Sequence, residues 1–220
     1  MGSAAMPHTT FGSAGEAPAG VGEGGTRARS RRGLLKTAAV LGGSALATGG
    51  VVTALAGRAD PAPTALDARI LNFVLRLEQL KAAFYQQAAS GGALGGELQQ
   101  FAELLARHER THVSFLRRWL GSKAADERTY DFGDATTDPD VFARTARTLE
   151  EAAVAGYIGQ GAHLTRSLMV PFAQMCSVEA RHAAWIDDFL GSDPAPKAAD
   201  EAMAPAEVLA VIEETGFETG

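Results

Sequence analysis

A glutamate–histidine pair spaced three residues apart occurs twice in this chain at a fixed offset, and that repetition constrains the fold more than any other feature. Residues 105–116 read LARHERTHVSFL, and residues 175–186 read MCSVEARHAAWI. Glu109 and His112 fall on Glu179 and His182, 70 residues later, and the register continues from Leu120, Gly121 and Ser122 onto Leu190, Gly191 and Ser192. Upstream, Leu77, Glu78 and Tyr85 recur as Leu149, Glu150 and Tyr157, offset by 72 residues. Each half therefore carries one Glu-x6-Tyr segment followed by one Glu-x-x-His segment.

On an α-helix, which turns about 100° per residue, a Glu and a His three apart lie roughly 60° apart around the axis. Both side chains then reach one point beside the helix. Leu98, Phe101, Leu105, Phe115, Leu116 and Trp119 share the arc of Glu109 and His112. Met175, Val178, Trp185, Ile186 and Phe189 share that of Glu179 and His182. Charged groups within an apolar stripe are costly unless paired or metal-bound. Four interior carboxylates repel one another, and without cations their pKa values rise. Two divalent cations balance four carboxylates with both imidazoles neutral. This charge count and the repeat point independently to a dinuclear metal site.

The periodicity is helical and strand-type alternation is scarce, which predicts an all-α domain. A first helix is expected over 65–89, with Ile70, Val74, Leu77 and Tyr85 on one side, ended by SGGALGG at 90–96. A second runs from about Glu97 to Leu120. After a long polar stretch, Asp138-Pro139 marks a third start, and that helix reaches about Leu164. Pro171 is expected in the first turn of a fourth helix ending at Leu190-Gly191. Connections that run short, long, short give two αα-hairpins joined by a long crossover. In the tail, APAEVLAVIEETGF is expected to form one more short helix outside the bundle. The plan is a leader over 1–56, a bundle over 57–191 and a tail over 192–220.

Lys and Arg gather only near the N-terminus, so nucleic acid is not an expected partner. The single cysteine, Cys176, excludes an internal disulfide, a four-cysteine zinc or iron site, and an iron–sulfur cluster held by this chain alone. Among Met175 and Val178 it reads as a small core side chain.

Residues 1–26 are rich in Gly, Ala, Ser and Pro and predict disorder. TRARSRRGLLK follows, then an uncharged run from Thr37 to Gly57 containing Ala54-Leu55-Ala56, a small-x-small cleavage pattern. Ser30 to Lys36, with Arg31 and Arg32, resembles the twin-arginine export consensus, with Leu34 where Phe is usual. It implies passage through the twin-arginine machinery, cleavage near Ala56, and residence in the periplasm, the cell envelope or outside the cell. Because that route moves folded proteins, metal loading before export is compatible with it. An uncleaved anchor and a chance basic pair are the competing readings.

The segments LNFVLRLEQLKAAFY, HERTHVSFLRRWLG, LEEAAVAGY and VEARHAAWIDDFLG resemble the ferritin-like superfamily, more closely its exported bacterial ferritin-like domain members. The resemblance covers roughly residues 65–192. It implies a ferritin-like four-helix bundle, with Glu78, Glu109, His112, Glu150, Glu179 and His182 as ligands to two divalent ions. Iron is the first expectation, with manganese and zinc as the others. Tyr85 and Tyr157 match tyrosines that hydrogen-bond ligand carboxylates. The implied chemistry is iron oxidation, peroxide reduction or oxygen-dependent oxidation, with ferrous iron, dioxygen or peroxide as small-molecule partners. Without cysteine pairs, electrons come from ferrous iron itself, a diffusible donor or a partner. The competing class is a non-enzymatic metal-binding or structural protein of the envelope serving stress tolerance.

Single residues carry simpler readings beside these. Glu78 and Lys81 are spaced for a surface ion pair. Glu151 competes with Glu150, and only the repeat register favours Glu150. His108 has Val178 as its counterpart and reads as a second-shell donor, a third imidazole near one metal, or a packing residue. His163 reads as surface, and Glu97 and Glu103 need no function. His108-Glu109-x-x-His112 also satisfies the H-E-x-x-H pattern of zinc metalloproteases. That reading makes His108 and His112 ligands and Glu109 a general base. It leaves unexplained why Glu109 recurs as Glu179 and why Val178 stands where His108 would recur.

Overall fold

The computed structural model describes residues 62–219. The leader, Arg31, Arg32 and the expected cleavage position at Ala56 lie outside the described residues. Among the described residues five α-helices follow one another: α1 Ala65–Gly91, α2 Gly96–Leu120, α3 Pro139–Gly161, α4 Arg166–Phe189 and α5 Pro205–Glu214. Among the described residues there is no β-strand, only an isolated antiparallel bridge between Tyr130 and Glu218. Two αα-hairpins, α1–α2 and α3–α4, are joined by the crossover over 121–138, as the short–long–short pattern of connections predicts.

Local chemistry sets the helix ends. Thr64 and Asp67 form a capping box on α1: the Asp67 N–H donates to Thr64 Oγ1, and the Thr64 N–H donates to Asp67 Oδ2. The other Asp67 oxygen accepts from the N–H of Thr165, the residue that precedes α4. One buried carboxylate thus fixes the starts of two helices. Gly92, at φ +65°, closes α1 in the left-handed region that glycine enters without strain. Asp138 Oδ1 accepts from the N–H groups of Asp140 and Val141 at the start of α3.

Two boundaries differ from expectation. Helix α3 stops at Gly161 rather than near Leu164, because the chain tightens there into turns with His163 N–H donating to Gln160 O. Helix α4 starts at Arg166, so Pro171 lies inside it rather than in its first turn. The hydrogen bond that Pro171 cannot donate would go to the Ser167 carbonyl, and Ser167 is exposed, so water can serve that carbonyl.

The interior is two apolar clusters. One gathers the C-terminal half of α1 and the N-terminal half of α2 around Phe84, Phe101 and Phe142; the Phe84 and Phe142 rings stack at 5.2 Å. The other gathers Leu71, Leu75, Leu116, Leu120 and Phe172. Between them, along the bundle, lies a polar layer. Phe189, expected on the apolar arc of its helix, is 40% exposed instead, as the last residue of α4.

The tail does more than cap the outside. Val208 and Ile212 of α5 are buried in the first cluster. Beyond α5, the Asp131 N–H donates to Phe217 O at 2.8 Å, and the Thr219 N–H donates to Thr129 O at 3.0 Å. The Arg76 guanidinium clasps Glu218 through two hydrogen bonds of 2.8 and 2.6 Å. The tail is therefore tied both to the crossover and to α1.

Candidate metal centre

The polar layer is built one or two side chains per helix. Helix α1 supplies Glu78 and Lys81, α2 supplies Glu109 and His112, α3 supplies Glu150, and α4 supplies Glu179 and His182. Inward-facing helix positions recur every three or four residues, and each of these lies on the apolar stripe of its helix. All four carboxylates are fully buried, and His112 and His182 are 7% and 3% exposed. The register choice between Glu150 and Glu151 resolves the same way: Glu150 is inside and Glu151 is exposed.

The six residues singled out by the repeat converge into two overlapping groups. Glu78, Glu109, His112 and Glu179 form one, and Glu109, Glu150, Glu179 and His182 the other; within each, the donor atoms lie within 4.8 Å of one another. Glu109 and Glu179 belong to both. His112 turns Nδ1 toward Glu179 Oε1 at 2.9 Å and toward Glu78 and Glu109 at 3.3 Å. His182 turns Nδ1 toward Glu109 Oε1 at 3.3 Å and Glu150 Oε2 at 3.4 Å.

Three side chains surround this set. The Tyr85 hydroxyl donates to Glu150 Oε1 at 2.6 Å, and the Tyr157 hydroxyl donates to Glu78 Oε1 at 2.8 Å. Burial and the neighbouring carboxylates push both phenols well above their ordinary pKa, so they remain donors. His108 places Nδ1 2.9 Å from His182 Nε2, with the rings stacked at 5.2 Å. Burial and the His182 charge lower the His108 pKa, which suits it to accept from His182. His108 thus stands behind a histidine of the cluster and in neither donor group, whereas a zinc-protease site requires it beside His112 on one ion.

Lys81 is the residue that sequence reasoning misplaced. Its only sequence reading is as the partner in a competing surface pair with Glu78, and it is 1% exposed within the layer. Its ammonium donates to Glu179 Oε2 and, at 3.2 Å, to Glu150 Oε2. It lies 3.3 Å from Glu109 Oε2 and 3.8 Å from Glu78 Oε2. The signal was present: Lys81 stands three residues after Glu78 and four before Tyr85, on the same inward stripe.

The charges follow from these contacts. Burial opposes the Lys81 charge, but four carboxylates outweigh it and hold the ammonium well above its ordinary pKa. His112 and His182, likewise opposed by burial, are raised to about 12 and about 11 by their carboxylate partners. Burial and the Glu179 charge push Glu78 well up, whereas Lys81 holds Glu109 well down against burial. Three cations therefore face four carboxylates, of which Glu78 and, first through burial, Glu150 are raised above the ordinary carboxylate value.

The donor set still fits a metal ion. Both Glu109 oxygens, Glu179 Oε1 and His182 Nδ1 are buried and meet their charged neighbours without hydrogen-bond geometry. Native interiors rarely leave such atoms unserved. Four carboxylates and two imidazoles suit iron or manganese, and also zinc.

Elsewhere, Cys176 is half-buried against the second cluster, and its thiol is pushed up to about 11, first by burial. His163 is exposed, and exposed Glu97 accepts from the Trp185 indole at 2.7 Å. No described helix is long and apolar enough to cross a membrane.

A family model described as "Ferritin-like domain" matches residues 66–192, more than half of the chain. No curated protein matches the sequence.

Proposed function

The chain belongs to the ferritin-like domain family, and from that premise we propose that it is an exported, redox-active metal protein with oxidase-, ferroxidase- or peroxidase-like capacity. The observation that carries the metal reading is the pair of overlapping donor groups sharing Glu109 and Glu179. Glu78, Glu109, Glu179 and His112 would hold one divalent ion, and Glu109, Glu150, Glu179 and His182 would hold another. Iron is the first candidate and manganese the second.

A redox-active ion in that position supplies electron exchange with ferrous iron, dioxygen or peroxide. The chain's own residues do the rest. Tyr157 and Tyr85 fix the orientation of Glu78 and Glu150 by donating to one oxygen of each, leaving the other oxygen toward the centre. His108, accepting from His182 Nε2, would keep the other ring nitrogen, Nδ1, directed at the carboxylates and able to bind an ion that displaces its proton. The flanking apolar clusters keep bulk water from the layer. With no cysteine pair in the chain, reducing equivalents arrive from a diffusible donor, a partner or the substrate.

A second reading, a metal-binding protein without turnover, draws support from the charge balance that Lys81 and the two histidines provide without metal. Purified mature protein loaded anaerobically with ferrous iron and then exposed to air separates the two. Bound iron that oxidises, or turns over added peroxide, supports the redox reading. Bound iron that stays ferrous and inert supports the second, and no bound iron, manganese or zinc removes both.

Export rests on Arg31 and Arg32 and the uncharged run behind them. Replacing both by lysine is expected to strand the precursor in the cytoplasm. Normal levels of mature protein outside the cytoplasm would refute the twin-arginine assignment.

A further inference from the structure

The two halves of the centre are not equivalent. Lys81 aligns in the repeat with Ala153, which is 1% exposed and carries no charge. The centre therefore contains one lysine where two-fold repetition would supply two or none. Its ammonium is also off-centre. The three carboxylates nearest to Nζ are Glu179, Glu150 and Glu109, at contact, 3.2 Å and 3.3 Å, while Glu78 lies at 3.8 Å. Those three are the complete carboxylate complement of the His182 group. Glu78, the member peculiar to the His112 group, is the one that Lys81 touches least.

We propose that Lys81 serves as the resident cation of the His182 half, so that the native chain binds a single divalent ion, held by Glu78, Glu109, Glu179 and His112. The inference rests on the metal reading above and narrows it. A divalent ion placed among Glu109, Glu150, Glu179 and His182 meets the ammonium at close range, and like charges in a buried layer repel strongly. Lys81 cannot relieve this cheaply. Its backbone stands on the inward stripe of α1, between Glu78 and Tyr85, so its Nζ reaches water only by withdrawing through packed side chains. On the other side, Glu78, steadied by Tyr157, needs no partner from Lys81 to complete its group.

The test is a count of ions. Native protein and Lys81→Met, a substitution close in length, are each dialysed to equilibrium against Mn²⁺, and bound manganese is measured by elemental analysis. The expected result is about one ion per native chain and about two per Lys81→Met chain, because removing the ammonium vacates the His182 half. In the native background, His112→Ala is expected to lose the ion and His182→Ala to keep it. Two ions in the native chain overturn the assignment whatever the variant does, and so do equal numbers in the two proteins. Equal non-zero numbers leave the metal reading standing; zero in both proteins, repeated with Fe²⁺ under anaerobic conditions and with Zn²⁺, removes the metal reading and this inference together. If Lys81→Met fails to fold without metal, Lys81→Gln and refolding in Mn²⁺ provide the comparison, and the native count alone remains decisive.

Discussion

The Tyr157 hydroxyl, on α3, donates to Glu78 Oε1, on α1, at 2.8 Å, and its repeat counterpart Tyr85 returns the contact to Glu150 at 2.6 Å. Each half of the chain thus orients the carboxylate of the other half. The two Glu-x6-Tyr segments are interlocked, and the hydrogen bonds cross between the hairpins at the level of the centre. Removing one hydroxyl strips a buried carboxyl of its directed donor, which costs about 1–3 kcal/mol. Tyr157→Phe is expected to lower the unfolding midpoint and to weaken Mn²⁺ binding by about 10–100-fold, the usual effect of losing a partner behind a ligand. Tyr85→Phe should destabilise the fold to a similar extent but leave the affinity of a single ion on Glu78 and His112 less affected. Isothermal titration of both variants checks this, and equal losses of affinity would argue against it.

Glu109 and Glu179 occupy the same place in the two halves and belong to both donor groups. Alanine at either position is expected to abolish tight metal binding, and the two losses should match. Glu151→Ala, on the exposed side of α3, should leave binding unchanged. A zinc site on His108 and His112 predicts otherwise, since Glu179 would then be dispensable. Metal content after purification of the three variants decides between them.

Much of this was legible in the sequence because the repeat turns six separate weak signals into one spacing rule. Glu78, Glu109, His112, Glu150, Glu179 and His182 are found by register alone, and the structure brings those six together. Lys81 was not legible by the same rule, because it is where the repeat breaks: its counterpart is Ala153. A lysine three residues from a glutamate fits a solvated pair and a buried one equally well, and only the inward stripe separates them. The start of α4 was misjudged because proline tolerates the second turn of a helix whose exposed carbonyls water can serve. The tail's clasp on α1 has no local signature at all, since Glu218 meets Arg76 across 142 residues of sequence.

His108 has no counterpart in the second half, and it touches the centre only through His182 Nε2. Its effect should therefore appear at the His182 half alone. In native protein, His108→Ala is expected to change the affinity of the bound ion little. In the Lys81→Met background, where the second half is free, the same change should weaken the second ion by about 10–100-fold. A manganese titration that resolves the two steps reads this directly; a loss on the first step would mean that His108 supports His112 instead.

Gly159 lies where α3 meets the incoming tail. A Cβ at this position would stand 2.1 Å from the Met203 carbonyl oxygen, a backbone atom that cannot rotate away. The Met203 N–H donates to Ala155 O at 3.1 Å, so the same short segment is hydrogen-bonded to α3. Gly159→Ala is expected to displace the tail and to cost about 1–3 kcal/mol, as overpacking does. Hydrogen exchange should quicken at Val208 and Ile212, whose side chains α5 buries, while α1 and α2 keep their protection. Unchanged exchange in α5 would mean that the tail moves without losing its packing.

Acid should release the same tail. The two hydrogen bonds from Arg76 hold the Glu218 carboxyl below its ordinary value of 4.5, with burial opposing and Arg128 adding to the shift. Burial pushes Asp67 up from 3.8, but the bonds from Thr64 and Thr165 more than offset it and leave that carboxyl lowered as well. A group with a depressed pKa in the folded state binds its proton first in the unfolded chain. Its contribution is complete above the unfolded pKa and is lost as pH falls through the folded one. The Glu218 contribution should therefore stand in full above about pH 5 and fade below the ordinary carboxylate range. Glu218→Gln removes the charge but keeps the shape, so the stability gap between native and variant proteins should be widest near neutrality and close as pH falls. Urea unfolding of both proteins across that range measures the gap; one that stays constant with pH would show that Glu218 acts through packing and not through its charge.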